Sequence, residues 1–74
     1  MKKIEEILDV FVERLDDYMK QNGLNIQNLA KKLNIPRRTL NSWMLKNRVP
    51  RIDYIYMIAD YLNVSIDYLV GREQ

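Results

Sequence analysis

The chain has 74 residues with a formal net charge of +2, and it contains neither cysteine nor histidine. Its length allows a single domain, close to the lower size limit for a core that folds without disulfides or metals. Without imidazole or thiol groups it lacks the commonest general bases, nucleophiles and zinc ligands, so we expect no enzyme, no metal and no other cofactor.

The N-terminal half predicts two helices. Hydrophobic residues recur at three- and four-residue steps between Ile4 and Met19, which is typical of an amphipathic helix over about residues 3–21. Gly23 follows and tolerates the left-handed conformation that ends a helix. Asn25 is a suitable N-cap for a second helix over about residues 26–33.

A third helix is predicted after a short turn. Asn34 tolerates the positive φ that a tight turn needs, and Pro36 has the fixed φ suited to a first helical turn. By the 3.6-residue period Leu40 and Trp43 face the core. The outward positions are Arg37, Arg38, Asn41, Ser42 and Leu45. An extended loop is predicted over residues 46–51, because this segment contains a proline and the residue before a proline is disfavoured in helical conformation.

Two further helices complete the chain, over about residues 52–62 and 66–70. Asn63 and Gly71 are suitable left-handed ends, and Ser65 is a suitable N-cap. The predicted fold class is an all-α bundle of five helices around one core. Because no apolar run approaches the roughly 20 residues of a membrane span, we expect a soluble, cytoplasmic protein without a membrane partner.

Charge is distributed unevenly along the sequence. The segment from residue 31 to residue 51 carries seven basic residues and no acidic residue, whereas all ten acidic residues lie outside it. Such a segregated basic segment is typical of nucleic-acid binding. Five acidic residues make one side of the first helix acidic, and this side is expected to face away from DNA: Glu5, Glu6, Asp9, Asp16 and Asp17.

The second and third helices are joined by a turn too short for antiparallel packing, which predicts a helix-turn-helix at about residues 26–45. Ala30 supplies the small side chain required where the two helices touch. The sequence resembles the lambda-repressor-like, Cro/XRE-type helix-turn-helix DNA-binding domains over residues 11–71. The matching text is Phe11-Val-Glu-Arg-Leu15, Gly23-Leu-Asn25, Leu29-Ala-Lys-Lys-Leu33, Ile35-Pro-Arg-Arg-Thr-Leu40, Trp43, Pro50 and residues 58–71. This leaves residues 1–10 as an N-terminal helical extension and residues 72–74 as a tail.

The resemblance implies that the third helix lies in the major groove of double-stranded DNA, while the start of the second helix and the loop after the third bind phosphates. The residues implied to read bases are Arg37, Arg38, Ser42 and Asn41. Those implied to bind phosphates are Asn25, Thr39, Lys46, Asn47, Arg48 and Arg51. The alternative for both arginines is that they only hold phosphates. For residues 46–51 the alternative is a solvated loop.

Three further groups of hydrophobic and aromatic residues have a predicted packing. Met19 and Met44 occupy positions where some members of the family carry a buried Arg–Glu pair, so an apolar contact is expected instead. Ile4, Ile7 and Leu8 extend the apolar stripe of the first helix, and they pack either on their own domain or on a second subunit. Tyr54 and Tyr56 alternate along the fourth helix and cannot both face inward.

The sequence therefore predicts a sequence-specific transcriptional regulator, a repressor that acts as a homodimer on a palindromic operator. Two recognition helices must lie about one helical turn of DNA apart, roughly 34 Å, and one such domain supplies only one. The expected dimer contact is the fifth helix or the N-terminal helix. No small-molecule ligand is evident. The alternatives are an antitoxin or accessory protein-interaction module of the same fold, RNA binding, and, most remotely, an enzyme.

Overall fold

The computed structural model of the chain describes residues 3–72, which form an all-helical bundle. Its helices are α1 (Ile4–Asn22), α2 (Ile26–Leu33), α3 (Arg37–Met44), α4 (Ile52–Leu62) and α5 (Ile66–Val70). The predicted five-helix fold class is confirmed, and each bound lies within about one residue of its prediction. Met1, Lys2, Glu73 and Gln74, which belong to the predicted extension and tail, lie outside the described residues. Helix α1 continues without a break through the predicted boundary at residues 10 and 11.

Several helices begin or end where the sequence supplies a capping residue. The side chains of Asn25 and Ser65 accept hydrogen bonds from the first turns of α2 and α5, at 2.8 and 2.9 Å. Asn34 and Asn63 adopt left-handed backbone conformations with φ of 57° and 59°. At both ends the next residue's N–H donates to a carbonyl five residues earlier, the bond of a Schellman motif. Pro36 differs from its prediction: its extended ψ of 139° makes it the N-cap of α3 and not its first helical residue.

The conformation of the backbone just after α3 was not predicted. Lys46 has a φ of 62°, and its N–H donates to the Trp43 carbonyl at 2.9 Å. The N–H of Asn47 donates to the carbonyl of Ser42 at 2.9 Å, which completes a Schellman motif. The prediction of an extended loop from residue 46 was therefore wrong at its first residue, where the chain makes a left-handed turn.

The core lies among all five helices, and it includes Ile58 and Ala59 of α4 and Leu69 of α5. Helix α1 contributes Leu8, Phe11, Leu15 and Met19. The ring of Phe11 packs edge-on against Trp43 at 6.0 Å between centroids, and Trp43 packs against Tyr54 at 5.1 Å. Trp43 is therefore a core residue, and it fixes the orientation of α3 against both α1 and α4.

Helices α2 and α3 meet through small and buried side chains. Ala30 and Leu33 are buried, as is Ile35 in the turn. The N–H of Ile35 donates to the Ala30 carbonyl at 3.0 Å, which holds the turn against the end of α2. This short connection forces the two helices to cross steeply, and the predicted helix-turn-helix is confirmed.

The hydrophobic residues near the N-terminus differ in burial, and packing on a second subunit stays a prediction for the exposed ones. Leu8 is buried in the domain's own core, whereas Ile4 is 65% exposed. Ile4 and Ile7 line a small apolar groove together with Val49 and Pro50. The fourth-helix tyrosines divide as expected, with Tyr54 half-buried and Tyr56 exposed.

Candidate nucleic-acid interface

Helix α3 has a buried side and an exposed side. Leu40 and Trp43 lie in the core, and Trp43 has only 2% of its surface exposed. Arg37 and Arg38 occupy the first turn and are exposed. Within residues 3–72, neither guanidinium forms an ion pair with a carboxylate. The predicted outward placement of both arginines is confirmed, whereas their roles stay predictions.

Three shallow depressions follow the exposed side of α3 and share lining residues. Asn25 and Gln27 line the first together with Arg37, which also lines the second beside Asn41. Arg38 lines the second and the third. The predicted contact residues on these depressions form one continuous region, named here the α3 surface: Asn25, Arg37, Arg38, Thr39, Asn41, Ser42 and Arg48.

Hydrogen bonds within the protein limit what two of these residues offer a ligand. The hydroxyl of Ser42 donates to the carbonyl of Thr39 at 3.0 Å, so its oxygen is left mainly as an acceptor. The side-chain oxygen of Asn25 accepts from the N–H of Asn28, which leaves its amide group free to donate. No acidic residue lies in the first turn of α2, whose unpaired N–H groups form the positive end of the helix dipole.

The loop after α3 contains the other predicted phosphate ligands, and two of them have protein partners. The Lys46 amine forms an ion pair with Asp9 of α1, at 2.9 Å between Nζ and Oδ1. Arg51 bonds to Asp53 at 3.0 Å and stacks over the Tyr54 ring, which ties it to the start of α4. Asn47 is exposed. The structure therefore brings seven of the predicted residues together on the α3 surface and places Lys46, Asn47 and Arg51 outside it.

Comparison with known proteins identifies the family. A family model described as Helix-turn-helix, of the Cro/C1 type, matches residues 15–69, which is most of the chain. The chain belongs to the Cro/C1-type helix-turn-helix family. The resemblance to lambda-repressor-like domains is therefore confirmed.

Similar members of this helix-turn-helix family occur in Bacillus subtilis (strain 168). An uncharacterized HTH-type transcriptional regulator, YqaE, is 38% identical over 64 residues, which cover 86% of this chain and 55% of the relative. The HTH-type transcriptional regulator ImmR is 31% identical over 62 residues, covering 84% of this chain and 49% of the relative. The chain thus spans about half the length of the curated relatives it matches.

A solved structure has the same fold. The crystal structure of a transcriptional regulator from Listeria innocua superposes with a TM-score of 0.73 at 36% sequence identity. The superposition covers 86% of this chain and 60% of that chain. The five-helix architecture of this helix-turn-helix domain is therefore shared with a solved relative.

The acidic residues of α1 do not all lie where they were predicted. Asp9 contacts the loop after α3, and Asp16 lines the same depression as Asn25 and Arg37. The expectation that the acidic side faces away from the interface was therefore wrong for Asp9 and Asp16. Their seven-residue separation places them on one face of the helix, a signal in the sequence that would have grouped them.

The depression beside Asp16 also contains hydrophobic and basic side chains. Lys20 pairs with Asp16 at 2.9 Å, and this hydrogen bond raises the pKa of the Lys20 amine. Met19 and Met44, the apolar pair expected in place of an Arg–Glu pair, line the same depression. No buried side-chain nitrogen or oxygen lacks a hydrogen-bond partner in the part of the chain that the structure describes.

Membrane-spanning helices and metal-binding clusters are both absent from the residues that the structure describes. Among residues 3–72, no helix is long and apolar enough to span a membrane. No group of acidic side chains in the same range is arranged to hold a metal ion.

Proposed function

We propose that the chain is a sequence-specific double-stranded-DNA-binding transcriptional regulator, and a repressor that acts in the cytoplasm without a catalytic role. Membership of the Cro/C1-type family supports DNA as the partner. The naming of YqaE and ImmR as HTH-type transcriptional regulators supports transcriptional regulation. Repression follows if the bound protein occludes a promoter.

One observation carries the proposal. Arg37 and Arg38 lie on the exposed side of α3, opposite the buried Leu40 and Trp43, with no carboxylate partner among the described residues. A helix presented in this way fits the major groove of B-DNA. An arginine fork offers two donors that match the two acceptors on the major-groove edge of guanine. The neighbouring start of α2 adds N–H groups suited to a phosphate.

A homodimer follows from this mechanism. A palindromic operator presents two half-sites about 34 Å apart, and each protomer contributes one α3. The expected contact through α5 is restricted by the structure, because Leu69 is fully buried in its own domain. Exposed Ile4 and Ile52 favour the N-terminal helix and the start of α4 as the contact.

Selection of bound sites from random duplexes tests the proposal directly. The purified protein is mixed with a pool of duplexes carrying a randomised segment, and retained molecules are sequenced over successive rounds. We expect an enriched sequence with two-fold symmetry and half-sites about 10 base pairs apart. Retention of all sequences alike would contradict sequence specificity, and an enriched single half-site would contradict the homodimer.

A second candidate is an antitoxin or accessory module that mainly binds a protein. The observation that favours it is the exposure of Ile4, Val49 and Ile52, three large hydrophobic side chains. Exposed apolar side chains that form a contiguous patch mark protein-interaction sites. Failure to retain any duplex at low salt, together with stable capture of a partner through this region, would support this candidate over the first.

A further inference from the structure

The ion pair between Asp9 and Lys46 connects two parts of the chain that the sequence does not place together. Asp9 lies in the second turn of α1, and Lys46 follows the last turn of α3. Their charged atoms are 2.9 Å apart, and both side chains are about half-exposed, at 58% and 48%. The amine of a predicted phosphate ligand is therefore already paired with a carboxylate of its own protein.

We propose that Asp9 limits the affinity of this domain for DNA by competing with a phosphate for Lys46. This inference rests on the proposed function and concerns its regulation through Lys46, in the loop that follows α3. A phosphate that approaches Lys46 meets the Asp9 carboxylate at hydrogen-bonding distance from the same amine. Like charges at such a separation repel, and this repulsion offsets the attraction of the lysine.

The backbone conformation of Lys46 strengthens the competition. Its φ of 62° is held by the Schellman motif that ends α3, so the start of the side chain has a fixed position beside α1. A lysine amine has three donors, but the carboxylate occupies one side of it and brings a negative charge with it. Asp16 adds a second carboxylate on the same face of α1, where it pairs with Lys20 and lines the same depression as Arg37. On this face of α1, Asp16 thus lines one depression of the α3 surface, and Asp9 contacts the loop after α3.

Competition is favoured over assistance because the ion pair is exposed. A half-exposed pair stabilises its own geometry only weakly, so Asp9 contributes little to positioning Lys46 for a phosphate. Its negative charge, in contrast, acts on every phosphate nearby. The net effect of the carboxylate is therefore to weaken binding.

The test compares Asp9→Asn with Asp60→Asn. Both variants remove one negative charge from the surface of a helix, and Asp60 is an exposed residue of α4. Fluorescence anisotropy with a labelled duplex measures affinity between about 50 and 200 mM salt. Asp9→Asn is expected to bind about 3- to 10-fold more tightly at low salt, the effect of one like-charge repulsion at a surface. Its plot of log affinity against log salt is expected to steepen by about 1, because Lys46 then neutralises one more phosphate.

A double-mutant cycle assigns the effect to Lys46. In a Lys46→Ala background, Asp9→Asn is expected to change affinity less than twofold, because the carboxylate no longer has a lysine to compete for. Equal tightening in both backgrounds would overturn the competition, as would weaker or unchanged binding by Asp9→Asn. Equal tightening by Asp60→Asn would show a general charge effect and would also overturn it.

A measurement without DNA separates this inference from the proposed function. In the NMR spectrum of the free protein, the Cε methylene resonances of Lys46 are expected to move in Asp9→Asn and to stay in place in Asp60→Asn. Unmoved resonances would overturn the ion pair itself. If the wild-type protein binds no duplex at low salt, the proposed function fails and the competition fails with it. If the wild-type protein binds DNA and Asp9→Asn binds with the same affinity, only the competition fails.

Discussion

At the residue scale, Arg38 and Arg48 line one depression but are expected to act differently. Arg38 lies in the first turn of α3, whereas Arg48 lies in the loop beyond its end. Arg38→Ala is expected to cost about 1 to 3 kcal/mol of binding free energy and to relax the choice of base at one position. Arg48→Ala is expected to weaken all duplexes alike, because a phosphate contact carries no sequence information.

Titration of both variants against a selected site and its single-base variants distinguishes these roles. Wild-type protein provides the reference ratio of affinities at each base pair. A uniform loss in both variants would mean that Arg38 only holds a phosphate, the alternative that the sequence left open. Circular dichroism of each variant establishes that the helices are intact.

Lys46 allows a second residue-scale prediction, which concerns stability. Its left-handed φ of 62° is unfavourable for a side chain with a Cβ atom. Lys46→Gly and Lys46→Ala both remove the ion pair with Asp9, so their difference isolates the backbone. We expect the glycine variant to be more stable to urea by about 1 kcal/mol.

The matched comparison uses Arg48, whose φ is not positive. There the order is expected to reverse, with Arg48→Ala more stable than Arg48→Gly by about 0.4 to 1 kcal/mol, because glycine has more entropy to lose on folding. The same order at both positions would mean that the turn at Lys46 is not left-handed in solution.

At the element scale, the crossing of α2 over α3 depends on Ala30. This side chain is buried, and the sequence predicts that the two helices touch there, so a larger one must displace core residues. Ala30→Leu is expected to destabilise the fold by about 1 to 3 kcal/mol, with a fall in the melting temperature of about 4 to 8 °C per kcal/mol. The neighbouring Lys31 is exposed, and Lys31→Leu is expected to change stability by less than about 0.5 kcal/mol. A melting temperature for Ala30→Leu equal to that of Lys31→Leu would show that the two helices do not meet at this residue.

Most helix boundaries were predictable because local chemistry determines them. Asn25, Asn34, Asn63 and Ser65 are residues whose side chains or backbones favour helix ends, and each lies at one. The left-handed turn at Lys46 was not predicted, because lysine has no special tendency towards positive φ. There the turn is set by tertiary packing, since Trp43 on one side and Pro50 on the other are both buried.

The candidate interface was predictable in part for the same reason. The 3.6-residue period determines which side of α3 is exposed once Leu40 and Trp43 are assigned to the core. The approach of Asp9 to Lys46 depends on how α1 packs across the end of α3, and no local pattern encodes that contact. The distribution of charge along the sequence therefore predicted the basic surface, but it did not predict which acidic groups lie next to that surface.

At the scale of the whole molecule, α1 connects the helix-turn-helix to the C-terminal helices. Arg14 donates to the Tyr68 carbonyl at 3.2 Å and stacks over the Tyr68 ring, which anchors α5. Tyr18 packs edge-on against Tyr61 of α4, at 6.4 Å between centroids. One face of α1 thus holds α4 and α5 while another borders the α3 surface, so the stability of α1 affects both.

This arrangement predicts a loss of stability at alkaline pH. Burial raises the pKa of Tyr18 above its ordinary value of 10.0, and the neighbouring Tyr61 adds a smaller contribution in the same direction. The folded state then holds the phenolic proton more tightly than the unfolded state. The stabilisation is fully present below about pH 10 and decreases as the pH rises through the folded-state pKa.

Urea unfolding between pH 8 and pH 11 measures this loss in the wild-type protein, in Tyr18→Phe and in Tyr56→Phe. Tyr18→Phe keeps an aromatic ring at the contact with Tyr61 but has no phenolic proton, so its stability is expected to decline less steeply above about pH 10. Some decline in stability remains in this variant, because the ion pair with Asp16 raises the pKa of Lys20. The stabilisation from this ion pair is also lost as the pH rises. Tyr56 is an exposed tyrosine of α4, and its phenylalanine variant is expected to decline like wild type because Tyr18 is unchanged. Parallel curves for all three proteins would show that the Tyr18 hydroxyl is as well solvated in the folded state as in the unfolded chain, and that α1 does not pack against α4 through this residue.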